Sequence, residues 1–170
     1  MRGVLFLDFD GVLNNRLDRM IEPSGWNYLD QKRVERVNCI AERTGCAIVV
    51  SSSWRKENEQ TPRTHVADLL DKAGATFPVL DVTPFRADHD HRCRGQGHAD
   101  ECGRGHEIQA WLDDHGWTGP TAIVDDGADM GHLLPYLVQT SDETGLLDEH
   151  VERICALLTT PPMREEKDRG

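Results

Sequence analysis

Apolar positions follow two rhythms along the chain. Short, nearly continuous runs, VLFLDF (4–9), CAIVV (46–50) and TAIV (121–124), predict strands buried on both faces, as in a parallel sheet. YLVQTS (136–141) predicts a further strand, and TFPVLDVT (76–83) a weaker one, because Pro78 removes a ladder donor. Between these runs the spacing turns helical. Val34, Val37, Ile40 and Ala41 mark a helix over 29–43, with Asp30 to cap its start and Gly45 to end it. Val66, Leu69 and Leu70 mark a second over 63–73. Ile108, Ala110, Trp111 and Leu112 mark a third over 105–116, and 148–158 a fourth. Strands alternating with helices imply one α/β domain over 1–158, a central parallel sheet with helices on both faces.

The remaining segments are polar. Residues 15–28, with Pro23, Gly25 and Trp26, read as a loop or short flap. Residues 86–105 hold charges, histidines and glycines with almost no apolar side chains, and read as an insertion. Residues 159–170 are Pro-broken and polar, and are expected to be a disordered tail.

Composition narrows the function classes. The chain has 170 residues, 38% of them apolar and 29% charged, enough for a real core. No apolar run is long enough to span a bilayer, and the first strand begins too early for a signal peptide, so a cytoplasmic protein is expected. A net charge of −11 argues against a broad nucleic-acid-binding face, though not against a local basic pocket for one terminal phosphate. Five cysteines, an odd number, do not suggest a disulfide framework. Cys39, Cys46 and Cys155 fall in apolar-periodic segments and read as core thiols.

Ligands of open parallel sheets bind at the carboxyl ends of the strands, and the chemistry sits there. The first strand ends at Asp8 and Asp10, the second at Ser51, Ser52 and Ser53, the third at Asp125 and Asp126, with Asp129 shortly after. Taken singly, the serines could be turn formers and the acids a solvated loop. Their shared edge makes a site the better reading. Converging carboxylates cannot all stay ionised without a cation, and an all-oxygen donor set suits Mg²⁺. Trp54 and Trp111 read as packing residues.

At this point the chain resembles the haloacid dehalogenase (HAD) superfamily of phosphohydrolases. DFDGVLN is similar to that superfamily's first motif and IVVSSSW to its second. Arg104, in RGHEIQAWL, stands where a Lys or Arg precedes a helix, and AIVDD is similar to the fourth motif. VQTSDETGLL, with Thr140, Asp142 and Gly145, resembles a smaller subgroup, some of whose members are fused to RNA-repair enzymes. The resemblance implies a Rossmann-like three-layer sandwich with a small or absent cap. It also implies a Mg²⁺-dependent phosphatase working through an aspartyl phosphate. Asp8 would be the nucleophile and Asp10 the proton carrier. Gly11 would turn the chain, Ser52 (with Ser51 next and Ser53 beside them) would bind phosphate, and Arg104 would balance its charge, with Arg55 a second candidate cation. Asp8, the backbone carbonyl of Asp10, and Asp126 would hold the Mg²⁺. Asp125 would orient the basic residue or a metal-bound water, and Asp129 would stand further out.

The connections between motifs leave little room for a cap domain. An open site admits a phosphorylated small molecule, or a nucleotide or polynucleotide end. The alternatives are a non-catalytic phosphate- or metal-binding regulatory module and a phosphotransferase on the same scaffold. One segment stands apart: HDHRCRGQGHADECGRGH offers Cys93 and Cys102 with nearby histidines to a structural Zn²⁺, although the spacing fits no familiar finger. As a polar insertion it could instead act as a lid.

Overall fold

β1 (Val4–Leu7) buries all four of its side chains, which a strand can do only between two covering layers. The computed structural model describes residues 3–21, 28–58, 60–85 and 103–159. After β1 come α1 (Arg16–Ile21), α2 (Gln31–Thr44), β2 (Ala47–Val50), α3 (Pro62–Lys72) and β3 (Val79–Val82). Then follow α4 (Gly103–Asp114), β4 (Thr121–Asp125), β5 (Leu137–Gln139) and α5 (Asp148–Thr159), with 3-10 turns at Ser53–Asn58 and Gly131–Tyr136. The five strands form one sheet in the order β3-β2-β1-β4-β5, and every pairing is parallel.

The pleat of β1 divides the core. Leu5 and Leu7 join Val34, Val37 and Ile40 of α2, Val66 and Leu70 of α3, and Ile154 and Leu158 of α5. Val4 and Phe6 join Ile108, Trp111 and Leu112 of α4 on the other face. Each such side chain contributes roughly 1.5–3 kcal/mol on burial. This is the expected Rossmann-like three-layer α/β sandwich. The strand order reverses between β1 and β4; α2, α3 and α5 cover one face of the sheet and α4 covers the other.

Most boundaries follow the sequence pattern. α2 starts at Asp30, whose carboxylate accepts the Arg33 N–H at 2.9 Å, and ends at Gly45, as the capping signals predict. Four expectations change. The strand expected over 76–83 shrinks to an edge strand that starts just after Pro78. The third helix starts at Gly103, not Gly105, so Arg104 lies in its first turn. The flap region holds a short helix, α1, whose Leu17, Met20 and Ile21 are exposed. Cys39 is exposed, because the buried stripe of α2 runs through Val34, Val37 and Ile40 and Cys39 points away from it; Cys46 is half-buried and Cys155 buried. Trp26, Cys93, Cys102, His89, His91 and His98, most of the 86–105 insertion, and the tail from 160 lie outside the described residues. No helix among the described residues is long and apolar enough to cross a membrane.

Candidate active site

Register brings the site together. Leu7 pairs with Val50 on one side and Val124 on the other. The next step of the ladder places Asp8, Ser51 and Asp125 side by side, with Ser51 N–H donating to Leu7 O at 2.9 Å and Asp8 N–H to Val124 O at 3.1 Å. β1 and β4 are also where the strand order reverses, the crevice in which open α/β sheets bind ligands. Asp8 and Asp125 are almost fully buried there, at 5% and 3% exposure.

Arg104 reaches this crevice from the first turn of α4. Its Nε lies 3.4 Å from Asp125 Oδ2, and one terminal nitrogen lies 3.9 Å from Asp8 Oδ1. Burial works against the guanidinium charge, but the carboxylates of Asp8, Asp125, Glu107 and Asp129 outweigh it. Asp129 anchors the start of α4: its carboxylate accepts the Arg104 N–H at 2.9 Å and its carbonyl accepts the Gly105 N–H at 3.0 Å. A Cβ on Gly105 would lie 2.3 Å from Met130 O, so glycine lets the helix sit this close to the loop. Asp129, expected as an outer metal ligand, is therefore engaged with the backbone that positions Arg104.

The carboxylates of Asp8, Asp125 and Asp126 each offer an oxygen within 4.8 Å of the others. Such crowding makes their charges costly. Burial, then the charge of Asp8, pushes Asp125 up to about 8 despite Arg104. Burial likewise raises Asp8, against the pull of Arg104. Burial and then Asp142 and Asp10 raise Asp126. Asp125 Oδ2 is buried and accepts no hydrogen bond among the described residues. Three converging hard oxygens are a donor set that fits a divalent cation. The expected zinc ligands Cys93 and Cys102 lie outside the described residues.

Gly11 adopts φ 67°, a left-handed conformation costly for any residue with a side chain, and a Cβ there would lie 2.4 Å from Asp126 Oδ2. The sharp turn after Asp10 thus admits Asp126. The Gly11 N–H itself donates to Asn14 Oδ1 at 3.2 Å. Among the serines, Ser52 is the one whose side chain pulls the Asp8 carboxyl down against its burial, and its Oγ accepts the Trp54 backbone N–H at 3.4 Å. Ser51 is fully buried, and its Oγ makes no hydrogen bond among the described residues. Ser53 is exposed at the start of the 3-10 turn.

Arg55 does not line the crevice as a second cation. Its buried guanidinium donates to Glu107 Oε2 at 2.5 Å, Thr83 O at 3.0 Å, Ser51 O at 2.8 Å and Ser52 O at 2.5 Å. It ties the serine loop to α4 from beneath. Asp10 stands apart from the carboxylate cluster, held by Trp54 Nε1–H at 2.9 Å and Asn14 Nδ2–H at 3.0 Å. Sequence reasoning placed Trp54 in packing only and missed Asn14 and Arg19. Arg19 reaches back from α1 to Asn14 Oδ1 at 2.7 Å and to Asp142 at 2.6 Å. No periodicity marks such residues. The one available signal was the matched spacing of Asp8 and Asp10 with Ser52 and Trp54, each pair two residues apart at the ends of neighbouring strands.

An all-parallel sheet that ends in an acidic centre at its reversal point, with an arginine beside that centre, defines a Rossmann-like α/β domain. The chain belongs to the family described as the HAD domain in Swiss Army Knife RNA repair proteins, whose family model matches residues 4–151. Membership places it within a superfamily of phosphohydrolases and related enzymes. No curated protein and no solved structure matches the chain.

Proposed function

We propose that this domain is a Mg²⁺-dependent phosphatase that hydrolyses phosphate monoesters through an aspartyl phosphate on Asp8. The observation that carries this reading is the convergence of Asp8, Asp125 and Asp126 beneath Arg104 while Asp10 is held outside the cluster. The two motif acids thereby have separate environments, as separate roles require.

In the first step an Asp8 carboxylate oxygen attacks phosphorus and the bond from phosphorus to the leaving oxygen breaks. Asp10 delivers its proton to that oxygen. In the second step Asp10 takes a proton from water, the water oxygen attacks phosphorus, and the acyl phosphate bond breaks to free inorganic phosphate and Asp8. Ser52 and Arg104 bind the phosphoryl oxygens, and Asp125 orients Arg104. The Asp8 and Asp126 carboxylates and the Asp10 carbonyl would hold Mg²⁺, which supplies charge neutralisation to the phosphoryl group. The substrate class we propose is a nucleotide or polynucleotide end. Support comes from the family's description as a domain of RNA repair proteins, and from the absence of a second folded unit over the crevice among the described residues.

The test is release of inorganic phosphate from an aryl phosphate, mononucleotides and end-phosphorylated RNA, with and without Mg²⁺. Wild type is expected to turn over in Mg²⁺, and Asp8→Asn to fall to background. Tight phosphate binding with no turnover across the panel would favour a regulatory binding module instead.

A further inference from the structure

Both oxygens of Asp10 are held, and both holders are themselves fixed. The Trp54 indole stands edge-on to Phe9, the residue between the two acids, with centroids 5.4 Å apart and planes at 82°. Its Nε1–H donates to Asp10 Oδ2 at 2.9 Å. Asn14 is fully buried. Its Oδ1 accepts from Gly11 N–H at 3.2 Å and from Arg19 at 2.7 Å, which sets the amide so that Nδ2 faces Asp10 Oδ1 at 3.0 Å and Tyr28 O at 3.2 Å. Arg19 stands 3.9 Å from the same Asp10 oxygen. The Asp10 side chain is nevertheless 34% exposed, so one side of the carboxyl faces outward.

An indole N–H and an amide NH₂ donate and cannot accept. Neither can take a proton from Asp10, and each occupies one lone pair of the carboxyl. We infer that Trp54, with Asn14, is a positioning residue for Asp10: the two donors turn its remaining lone pairs, and hence its proton, towards the leaving oxygen of a phosphate on Asp8. The inference rests on the phosphatase reading above. As the bond from phosphorus to the leaving oxygen breaks, the Asp10 O–H bond breaks and the leaving oxygen gains that proton. Among the described residues, the groups that face Asp10 from the Trp54 and Asn14 side are donors, not acceptors. Trp54 is thus to Asp10 what Ser52 is to Asp8, a partner supplied from the end of the neighbouring strand.

The experiment compares leaving groups. Trp54→Phe keeps a ring against Phe9 but loses the N–H. An alkyl phosphate needs its leaving oxygen protonated, whereas an aryl phosphate with an acidic phenol does not. For Trp54→Phe, kcat/KM is expected to fall about 10- to 100-fold with the alkyl ester and less than about threefold with the aryl ester. A purely structural role would lower both alike, and that result would overturn the inference while leaving the phosphatase reading intact. A wild type that turned over neither ester would overturn both. Should Trp54→Phe fail to fold, ¹⁵N spectra of the indole groups decide. Asp10→Asn is expected to move the Trp54 Nε1–H resonance and leave those of Trp111 and Trp117 in place; an unmoved Trp54 signal would overturn the inference.

Discussion

Ser51 and Ser52 are adjacent, equally buried and chemically alike, yet the pleat gives them different neighbours. The Ser52 side chain lowers the Asp8 carboxyl's pKa and its Oγ accepts the Trp54 backbone N–H, while the Ser51 hydroxyl lies buried without a hydrogen bond among the described residues. A hydrogen bond to a charged group is worth about 1.5–3 kcal/mol, and an unsatisfied buried hydroxyl is worth nothing to the fold. Ser52→Ala is therefore expected to lower kcat/KM for phosphate release by about 10- to 100-fold. Ser51→Ala is expected to cost less and to leave the melting temperature equal or higher. The ratio of the two effects, from steady-state kinetics beside thermal melts, decides which serine serves the phosphate. The tract SSSW could narrow that choice but not close it. A one-residue step along a strand end changes the facing side completely: the ladder puts Ser51 next to Asp8, yet it is the Ser52 side chain that acts on the Asp8 carboxyl. Asn14 and Arg19 were illegible for a related reason: they lie outside any periodic segment, and their work is done by contacts across the turn that follows β1.

At the scale of elements the hydrophobic pattern was a better guide. α2, β1, β2 and β4 were all readable because each has one consistent burial rule over its length. The start of α4 was not, because Gly103 and Arg104 follow a run with no apolar period, and the helix is begun by contacts with Asp129 from a distant loop. Nor could the sequence show that Arg55 faces inward. Its guanidinium joins the 3-10 turn after β2 to Glu107 of α4, and it also holds the Ser51 and Ser52 carbonyls. Removing one partner of a buried pair leaves an uncompensated charge, at a cost of about 3–5 kcal/mol. Glu107→Ala is expected to lower unfolding free energy by that order in urea titration and to reduce activity by loosening the serine loop. The double variant Arg55→Met with Glu107→Leu, which removes both charges, is expected to regain part of the lost stability. If it were less stable than Glu107→Ala, the pair would not be the link between these elements.

Over the whole molecule the net charge is −11, and three of the acids, Asp8, Asp125 and Asp126, meet in one crevice. The ordinary aspartate carboxyl titrates at 3.8, whereas burial and the neighbouring Asp8 charge carry folded Asp125 to about 8; Asp8 and Asp126 shift in the same direction. Between these limits the folded chain binds more protons than the unfolded one, so stability falls as pH rises across the window. A cation reverses the sign, since it needs ionised ligands and binds only the folded state. In EDTA, the melting temperature is expected to decline from about pH 5 to about pH 8, and the gain on adding Mg²⁺ to grow over the same range. Asp125→Asn keeps an oxygen for the Gly127 N–H that donates to Asp125 Oδ1 at 2.8 Å, but it carries no charge. In EDTA at pH 8 it is expected to melt above wild type, with a shallower pH slope, and to gain less from Mg²⁺. Self-repulsion across the remaining surface is nearly the same in both proteins, so the difference between them isolates the acidic centre. A Mg²⁺ gain that was equal at pH 5 and pH 8, or equal in the two proteins, would place the cation somewhere other than this crevice.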